Sequence, residues 1–218
     1  MEYIEAEFRD QASPEVQAMF DALHDSGARI VHTIHEILDL STIEAGGFEL
    51  YPGEIHLKQL IDQVVRELRL RADQKGLYLD VEYGVRDDRI QGDAYSLEQA
   101  LVNLVDNAIK YTEEGGVTLQ LSEHRSELIL SIQDTGIGMS KTYQRRMWES
   151  FSQESTGYTK KFQGVGLGLA LVKRYCDLNQ VDIDVFSQKG VGSTFTLTFK
   201  KPRGKSEGKQ PKHHEDRE

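Results

Sequence analysis

Apolar residues recur in alternating steps of four and three over residues 16–41. The series consists of Val16, Phe20, Leu23, Gly27, Ile30, Ile34, Ile37 and Ser41. Such a stripe is typical of a helix that packs along other helices, and Ser13–Glu15 supplies a capping hydroxyl, a proline and an acid for its start. Val31 and Leu38 widen the stripe, so the pattern favours a helix of a four-helix bundle. A buried helix of one globular domain is the alternative.

Tyr51-Pro52-Gly53 ends this pattern, and strands then alternate with helices. We predict, in chain order, a strand near Glu54–Leu57, a helix near Lys58–Lys75, a strand near Leu77–Tyr83, a brief strand ending at Gly92, a helix over Ala94–Tyr111, a hairpin of strands Val117–Glu123 and Glu127–Asp134, a helix to about Leu178, and strands Val181–Ser187 and Ser193–Lys200. The hairpin strands alternate apolar and polar residues, which is typical of a sheet with one covered face. This order predicts an α+β fold, a two-layer sandwich with helices on one face of a mixed β-sheet, after a long helical segment.

The pattern divides the chain into a helical segment over residues 1–50, an α+β domain over 51–200 and a tail over 201–218. The tail has almost no apolar residues, so we predict that it is disordered. With 38% hydrophobic and 28% charged residues the composition fits a soluble protein. No apolar run approaches the roughly 18 residues that cross a bilayer, and the acidic start does not resemble a signal peptide. We therefore expect a cytoplasmic location and no membrane contact by this chain.

Charge and cysteine content narrow the function. The formal net charge of −10 argues against non-specific binding of nucleic acid, which needs a basic face. A polyanionic ligand such as ATP would then need backbone N–H groups, a metal ion or a few lysines. Cys176 is the one cysteine, which excludes an internal disulfide and a cysteine-based zinc cluster. Its apolar neighbours predict a packing role.

Two asparagines and a lysine share one edge of the predicted helix over Ala94–Tyr111. Asn103 and Asn107 lie roughly 40° apart at 100° per residue, beside the apolar stripe, and Lys110 lies near them. An asparagine oxygen suits Mg²⁺, and a lysine can meet a phosphate as a point charge. A solvated polar edge is the alternative when this segment is taken alone.

Two glycine-rich segments complete the candidate chemistry. Asp134–Met139 follows a predicted strand. An aspartate there can accept a hydrogen bond from the exocyclic amine of adenine, and Gly136 and Gly138 let the backbone approach the base; a tight turn is the alternative. Gly164–Leu169 opens a helix whose free N–H groups and positive dipole end can bind phosphate. Its glycine spacing fits neither a Rossmann fingerprint nor a Walker loop.

Together these three segments resemble the N, G1 and G2 boxes of histidine kinase catalytic domains in order and separation. Met147–Gln153 resembles the F box, Asp39–Gly46 the end of the second dimerisation helix, and Gly192–Leu197 the final strand. The resemblance covers about residues 14 to 200. It implies the Bergerat ATP-binding fold and a sensor kinase of a two-component system. Such a kinase passes the γ-phosphate of ATP to a histidine, for relay to the receiver domain of a response regulator.

The resemblance also assigns roles to residues. It implies that Asn107 coordinates Mg²⁺, that Asp134 binds adenine, and that the region between the glycine boxes is a mobile lid. The implied nucleotide-contacting positions are Asn103, Asn107, Lys110, Tyr111, Asp134, Gly136, Gly138, Gly164, Gly166, Leu167 and Gly168. Lys160 and Lys161 stand where family members often carry a basic residue for the terminal phosphates; a solvated charge pair is the alternative. We expect Trp148 and Phe151 to anchor the lid.

The sequence departs from the family at the phosphate acceptor. A kinase core carries an H box, roughly Ser-His-Glu with a basic residue and a proline, on the first dimerisation helix, and these 218 residues contain none. His35 lies four residues before Asp39, which places it in the second helix, and Met1–Phe8 resembles the last turns of the first. We therefore expect ATP binding without self-phosphorylation. The resemblance also implies homodimerisation through the helical segment in the full-length protein.

Two other functions stay open. Chaperone, mismatch-repair and topoisomerase ATPases of the same fold place a glutamate general base on the first motif helix, whereas Asn103 stands here and Glu98 lies more than a turn earlier. The second alternative is a regulatory module of the same fold that has lost nucleotide binding. Intact Asn107, Asp134 and glycine boxes disfavour it.

Overall fold

The computed structural model describes residues 13–154 and 165–201. Predictions about residues 1–8, about Lys160, Lys161 and Gly164, and about the tail after residue 201 lie outside the described residues. The elements in chain order are α1 (Pro14–Glu44), β1 (Pro52–His56), α2 (Leu57–Gln74), β2 (Tyr78–Tyr83), β3 (Arg89–Asp93), α3 (Ala94–Tyr111), β4 (Gly116–His124), β5 (Glu127–Asp134), α4 (Lys141–Gln144), α5 (Gly168–Leu178), β6 (Asp182–Gln188) and β7 (Gly192–Lys200).

Five strands form one mixed sheet in the order β2-β4-β5-β7-β6. β2 pairs with β4 in parallel, and the other neighbours are antiparallel. Leu119, Ile132 and Phe195 stand opposite one another across β4, β5 and β7 and are all buried. Because side chains alternate between the two faces of a strand, this row marks the covered face. The α+β fold with a mixed sheet is confirmed.

The two short strands β1 and β3 stand apart from the main sheet. They form an antiparallel pair in which Ile55 lies opposite Ile90. Asp93 at the end of β3 then caps α3, because its Oδ1 accepts hydrogen bonds from the Ser96 amide at 2.8 Å and from the Ser96 hydroxyl at 2.7 Å. The strand pair therefore sets the start of the helix that carries the asparagines.

Helix α3 lies between α2 and α5 on the covered face. Ten of its residues are buried, so it carries apolar side chains toward the sheet and both neighbouring helices at once. Leu101, Leu104 and Val105 are each 1% exposed or less. Burial of this kind contributes about 1.5–3 kcal/mol for each large apolar side chain. The polar edge of α3 is consequently held in one orientation.

Helix α1 packs against α5 near its own C-terminal end. Leu40 is buried there, and Asp39 Oδ2 accepts hydrogen bonds from the hydroxyls of Tyr175 at 2.6 Å and Tyr95 at 2.8 Å. The predicted apolar stripe is otherwise largely open to solvent. Its exposed members include Val16, Leu23, Ile30, Ile34 and Ile37. His24, His32 and His35 are exposed on this helix.

Two further expectations concern the cysteine and membrane-spanning helices. Cys176 is fully buried in α5, which confirms its packing role. Burial raises the pKa of its thiol to about 12. Among the residues that the structure describes, no helix combines the length and the apolar character that crossing a membrane would require.

Candidate nucleotide site

One edge of α3 carries the predicted amide and ammonium groups. Asn103 is buried, and Asn107, Lys110 and Tyr111 are half-buried. The Lys110 Nζ lies 5.1 Å from the centre of the Tyr111 ring, a distance at which a cation and an aromatic face attract. Burial lowers the pKa of Lys110.

The start of α5 meets this edge at Asn103. A β-carbon at Gly168 would stand 2.8 Å from Asn103 Oδ1, a separation at which something must shift, so glycine permits the close approach. Among residues 13–154 and 165–201, no side chain caps this helix, and Leu167 before it is fully buried. The first N–H groups of a helix have no intrahelical acceptor, and the helix dipole places partial positive charge beside them. The phosphate-binding expectation for residues 166–168 thus has a geometric basis.

The turn after β5 meets the other end of α3. The Ile137 amide donates to the carbonyl of Tyr111 at 3.1 Å. Asp134 is buried, and its Oδ1 accepts hydrogen bonds from the amides of Gly136 at 2.8 Å and Ser193 at 3.2 Å. A carboxylate can accept about four hydrogen bonds, so capacity for a ligand remains. Burial raises the pKa of Asp134.

Gly138 and Gly166 each lie in close contact with the backbone of another segment. Gly138 has φ +59°, and a β-carbon there would overlap the carbonyl of Gln188. Gly166 lies against the backbone of Ser152, so the second glycine box contacts the end of the F-box segment. The absence of a side chain at each glycine therefore lets two segments that are distant in sequence approach closely.

Comparison with known proteins decides the family. The family model for histidine kinase-, DNA gyrase B- and HSP90-like ATPases matches residues 92–203. The chain belongs to this ATPase family. It is 37% identical over 179 residues to the circadian input-output histidine kinase CikA of Synechococcus elongatus, an alignment that covers 81% of this chain and 24% of that protein. The chain spans about a quarter of the length of the curated relatives it matches.

Solved structures of histidine kinases share the fold of this ATPase domain. Full-length ShkA in complex with AMPPNP aligns with a TM-score of 0.72 and 28% identity, covering 87% of this chain and 40% of that one. The Acinetobacter baumannii histidine kinase AdeS aligns with a TM-score of 0.68 and 22% identity, covering 85% of both chains. The expected Bergerat fold is thereby confirmed. The chain therefore contains an ATPase domain whose fold is also found in histidine kinases.

An acidic side chain from α1 reaches the start of α5 beside Asn103. A β-carbon at Gly168 would lie 3.3 Å from Glu36 Oε1, so Glu36 and Asn103 approach the same point. The Glu36 side chain is 12% exposed and lies 3.8 Å from His32 Nδ1. Burial raises the pKa of Glu36, although the charges of His32 and Lys110 act to lower it.

The F-box segment corrects one expectation. Met147 is buried, and Trp148 packs edge-on against Phe195 with the ring centres 6.3 Å apart. Phe151 was expected to anchor the segment as well, but it is 65% exposed. Its φ of +62° is rare for a bulky residue, and with this backbone the ring lies in solvent.

The ATPase domain brings most of the described candidates together along α3. Asn103, Asn107, Lys110 and Tyr111 lie on the helix, Gly168 approaches Asn103, and Gly136 beside Asp134 approaches Tyr111. Gly138 instead lies against Gln188, Gly166 lies against Ser152, and Leu167 is buried just before α5. Sequence reasoning missed Glu36, which carried no motif, and Ser193. For Ser193 a signal existed, because it follows Gly192 at the start of the final-strand motif.

Proposed function

We propose that this domain binds ATP with Mg²⁺ and supplies the γ-phosphate to a histidine of the dimerisation domain, for relay to an aspartate of a response regulator. The observation that carries the proposal is the meeting of three motifs on one helix. Gly168 approaches Asn103 at one end of the α3 edge. The Asp134 turn bonds to Tyr111 at the other.

We propose a role for each group along this edge. Asp134 accepts a hydrogen bond from the exocyclic amine of adenine. Lys110 and the N–H groups at the start of α5 bind phosphates, one as a point charge and the others as hydrogen-bond donors. If the segment before α5 folds over the phosphates, Lys160, Lys161 and Gly164 contact them there.

Mg²⁺ fits the donors on α3. It takes oxygen ligands, keeps several waters and is commonly held by a few protein groups together with substrate phosphates. Asn107 offers a neutral amide oxygen near the phosphate end of the site, and we assign it as the metal ligand. When bound, the metal ion neutralises charge on the phosphates.

We also propose that α1 is the second dimerisation helix. Its exposed stripe, which includes Ile30, Ile34 and Ile37, supports pairing with other helices in a homodimer, because such a stripe is otherwise left in water. His35 is exposed on this helix but has no H-box context. We place the phosphate acceptor on a different helix and the domain in the cytoplasm.

Hydrolysis by water is the competing function within this fold, and Glu98 bears on it. The Glu98 carboxylate accepts a hydrogen bond from Gln63 on α2 at 2.6 Å. Five helical positions separate it from Asn103, which is a rotation of about 140° at 100° per residue. Glu98 therefore lies on the α2 side of α3, and this favours phosphotransfer over a water-activating base.

Two measurements test the proposal. Calorimetry with ATP or ADP should show binding that depends on Mg²⁺; no heat at millimolar nucleotide would favour a regulatory module without nucleotide binding. With γ-labelled ATP, the 218-residue chain should form no acid-labile phosphohistidine, whereas a longer chain that includes an H-box helix should. Strong labelling of the present chain that His35→Ala abolishes would show that the acceptor has been misplaced.

A further inference from the structure

Helix α3 ends without a backbone cap of its own. The last four carbonyls of any helix lack intrahelical donors, and many helices satisfy them with a glycine turn in the left-handed conformation. Here Thr112 follows the helix in an extended conformation, with φ −101° and ψ 132°. The carbonyls at the end of α3 must therefore be satisfied by groups from outside the helix.

Side chains and a neighbouring loop supply those donors. The Thr112 hydroxyl donates to the carbonyl of Ala108 at 2.7 Å, and the Ile137 amide donates to that of Tyr111 at 3.1 Å. The two carbonyls between them, on Ile109 and Lys110, accept from another source. All four terminal carbonyls are thus accounted for once that source is named.

The source is Lys75, directly after α2. Its Nζ donates to the carbonyls of Ile109 at 2.7 Å, Lys110 at 2.9 Å and Thr112 at 2.8 Å. An ammonium has three protons, so these three bonds engage all of its donors. Its positive charge also meets the negative end of the helix dipole.

We propose that Lys75 is a positioning residue for the nucleotide site. It holds the last turn of α3 in register with the Asp134 turn, so that Lys110 and Tyr111 face the ligand. Because its three protons are engaged with carbonyls, it acts through the helix end rather than by binding phosphate. The inference rests on the proposed nucleotide binding, and it adds a residue on α2's side of the helix that no motif contains.

Arg71 provides a matched control. It lies four residues before Lys75, and its Nη1 bonds the Asp106 carboxylate on α3 at 2.6 Å. It therefore joins the same two helices, but through a side chain and without touching the terminal carbonyls. Arg71→Met removes a cationic link between the helices and leaves the helix end capped.

The test compares Lys75→Met, Lys75→Arg and Arg71→Met at a temperature where each is fully folded. Calorimetry with ADP and Mg²⁺ should show about tenfold or weaker affinity for Lys75→Met. Lys75→Arg should recover only part of the lost affinity. It keeps the positive charge, but a planar guanidinium cannot direct donors to three converging carbonyls as an ammonium does. Arg71→Met should bind within about twofold of the parent, since an exposed ion pair contributes little.

Amide hydrogen exchange without nucleotide tests the role of Lys75 separately from the proposed nucleotide binding. Lys75→Met should speed exchange at Ile137, whose N–H bonds the Tyr111 carbonyl, and Arg71→Met should not. If the parent binds no nucleotide but Ile137 responds in this way, the proposed function fails, whereas the role of Lys75 in holding the end of α3 against the Asp134 turn stands. Parent-like affinity in Lys75→Met, an equal loss in Arg71→Met, or unchanged exchange at Ile137 would overturn the inference.

Discussion

Replacement of Asp134 should separate nucleotide binding from stability. Asp134→Ala removes the acceptor for adenine, and a hydrogen bond to a charged group contributes about 1.5–3 kcal/mol, or roughly 10- to 150-fold in affinity. It also leaves the Gly136 and Ser193 amides without their Oδ1 partner. Each buried amide left unsatisfied costs about 1–3 kcal/mol of folding free energy. The alanine variant should therefore lose both affinity and stability.

Asp134→Asn should behave differently, because its amide oxygen can still accept from both backbone amides. The pKa of Asp134 is raised by burial, so this group stabilises the fold below its unfolded pKa and loses that contribution as pH rises through the folded pKa. At neutral pH the neutral amide avoids the cost of a buried charge. We expect a Tm at least equal to that of the parent, with ATP affinity about 5- to 10-fold weaker, since a neutral acceptor contributes about 1 kcal/mol less.

Calorimetry with ATP and GTP, together with thermal unfolding, measures both effects. Adenine presents an amine where guanine presents a carbonyl oxygen, so the parent should prefer ATP and Asp134→Asn should narrow the preference. ATP affinity should also fall on acidification, at a pH above the range in which an ordinary aspartate titrates. Parent-like ATP affinity and base preference in both variants would show that Asp134 is only a turn residue.

Two further predictions follow from burial. Glu36→Gln should tighten binding of metal-free ATP several-fold, because Glu36 places a carboxylate at the expected phosphate end. Calorimetry in the presence of a chelator measures this affinity. An equal gain in affinity in Glu44→Gln, two turns along the same helix, would contradict the reasoning. Cys176, with its thiol pKa raised to about 12, should resist alkylation at mildly alkaline pH until denaturant unfolds the chain. Rapid alkylation of the folded chain, followed by mass spectrometry, would show that α5 opens readily.

The elements with strong periodicity could be predicted closely from the sequence. The helix over Ala94–Tyr111 has the predicted bounds, and the hairpin strands differ from prediction by at most one residue at either end. Both carry long apolar patterns that one covered face explains. The separate pairing of β1 with β3 was not predicted, because each strand has five residues and pairing between short distant strands leaves no local signal.

The candidate site divides in a similar way. Residues within motifs, such as Asn103, Asp134 and Gly168, could be predicted because their chemistry is local. Glu36 could not, since its place at the site depends on how α1 packs against α5. The direction of the Phe151 ring was also beyond the sequence, because a backbone φ of +62° sets it.

The single carboxylate of Asp39 links α1 to two other helices. Its Oδ2 holds the hydroxyls of Tyr95 and Tyr175 together, and these belong to α3 and α5, the two helices that meet at Asn103 and Gly168. A rotation of α1 about its axis would thus displace one oxygen atom that is hydrogen-bonded to both helices. A displacement of Asp39 would therefore act on Tyr95 and Tyr175 at the same time.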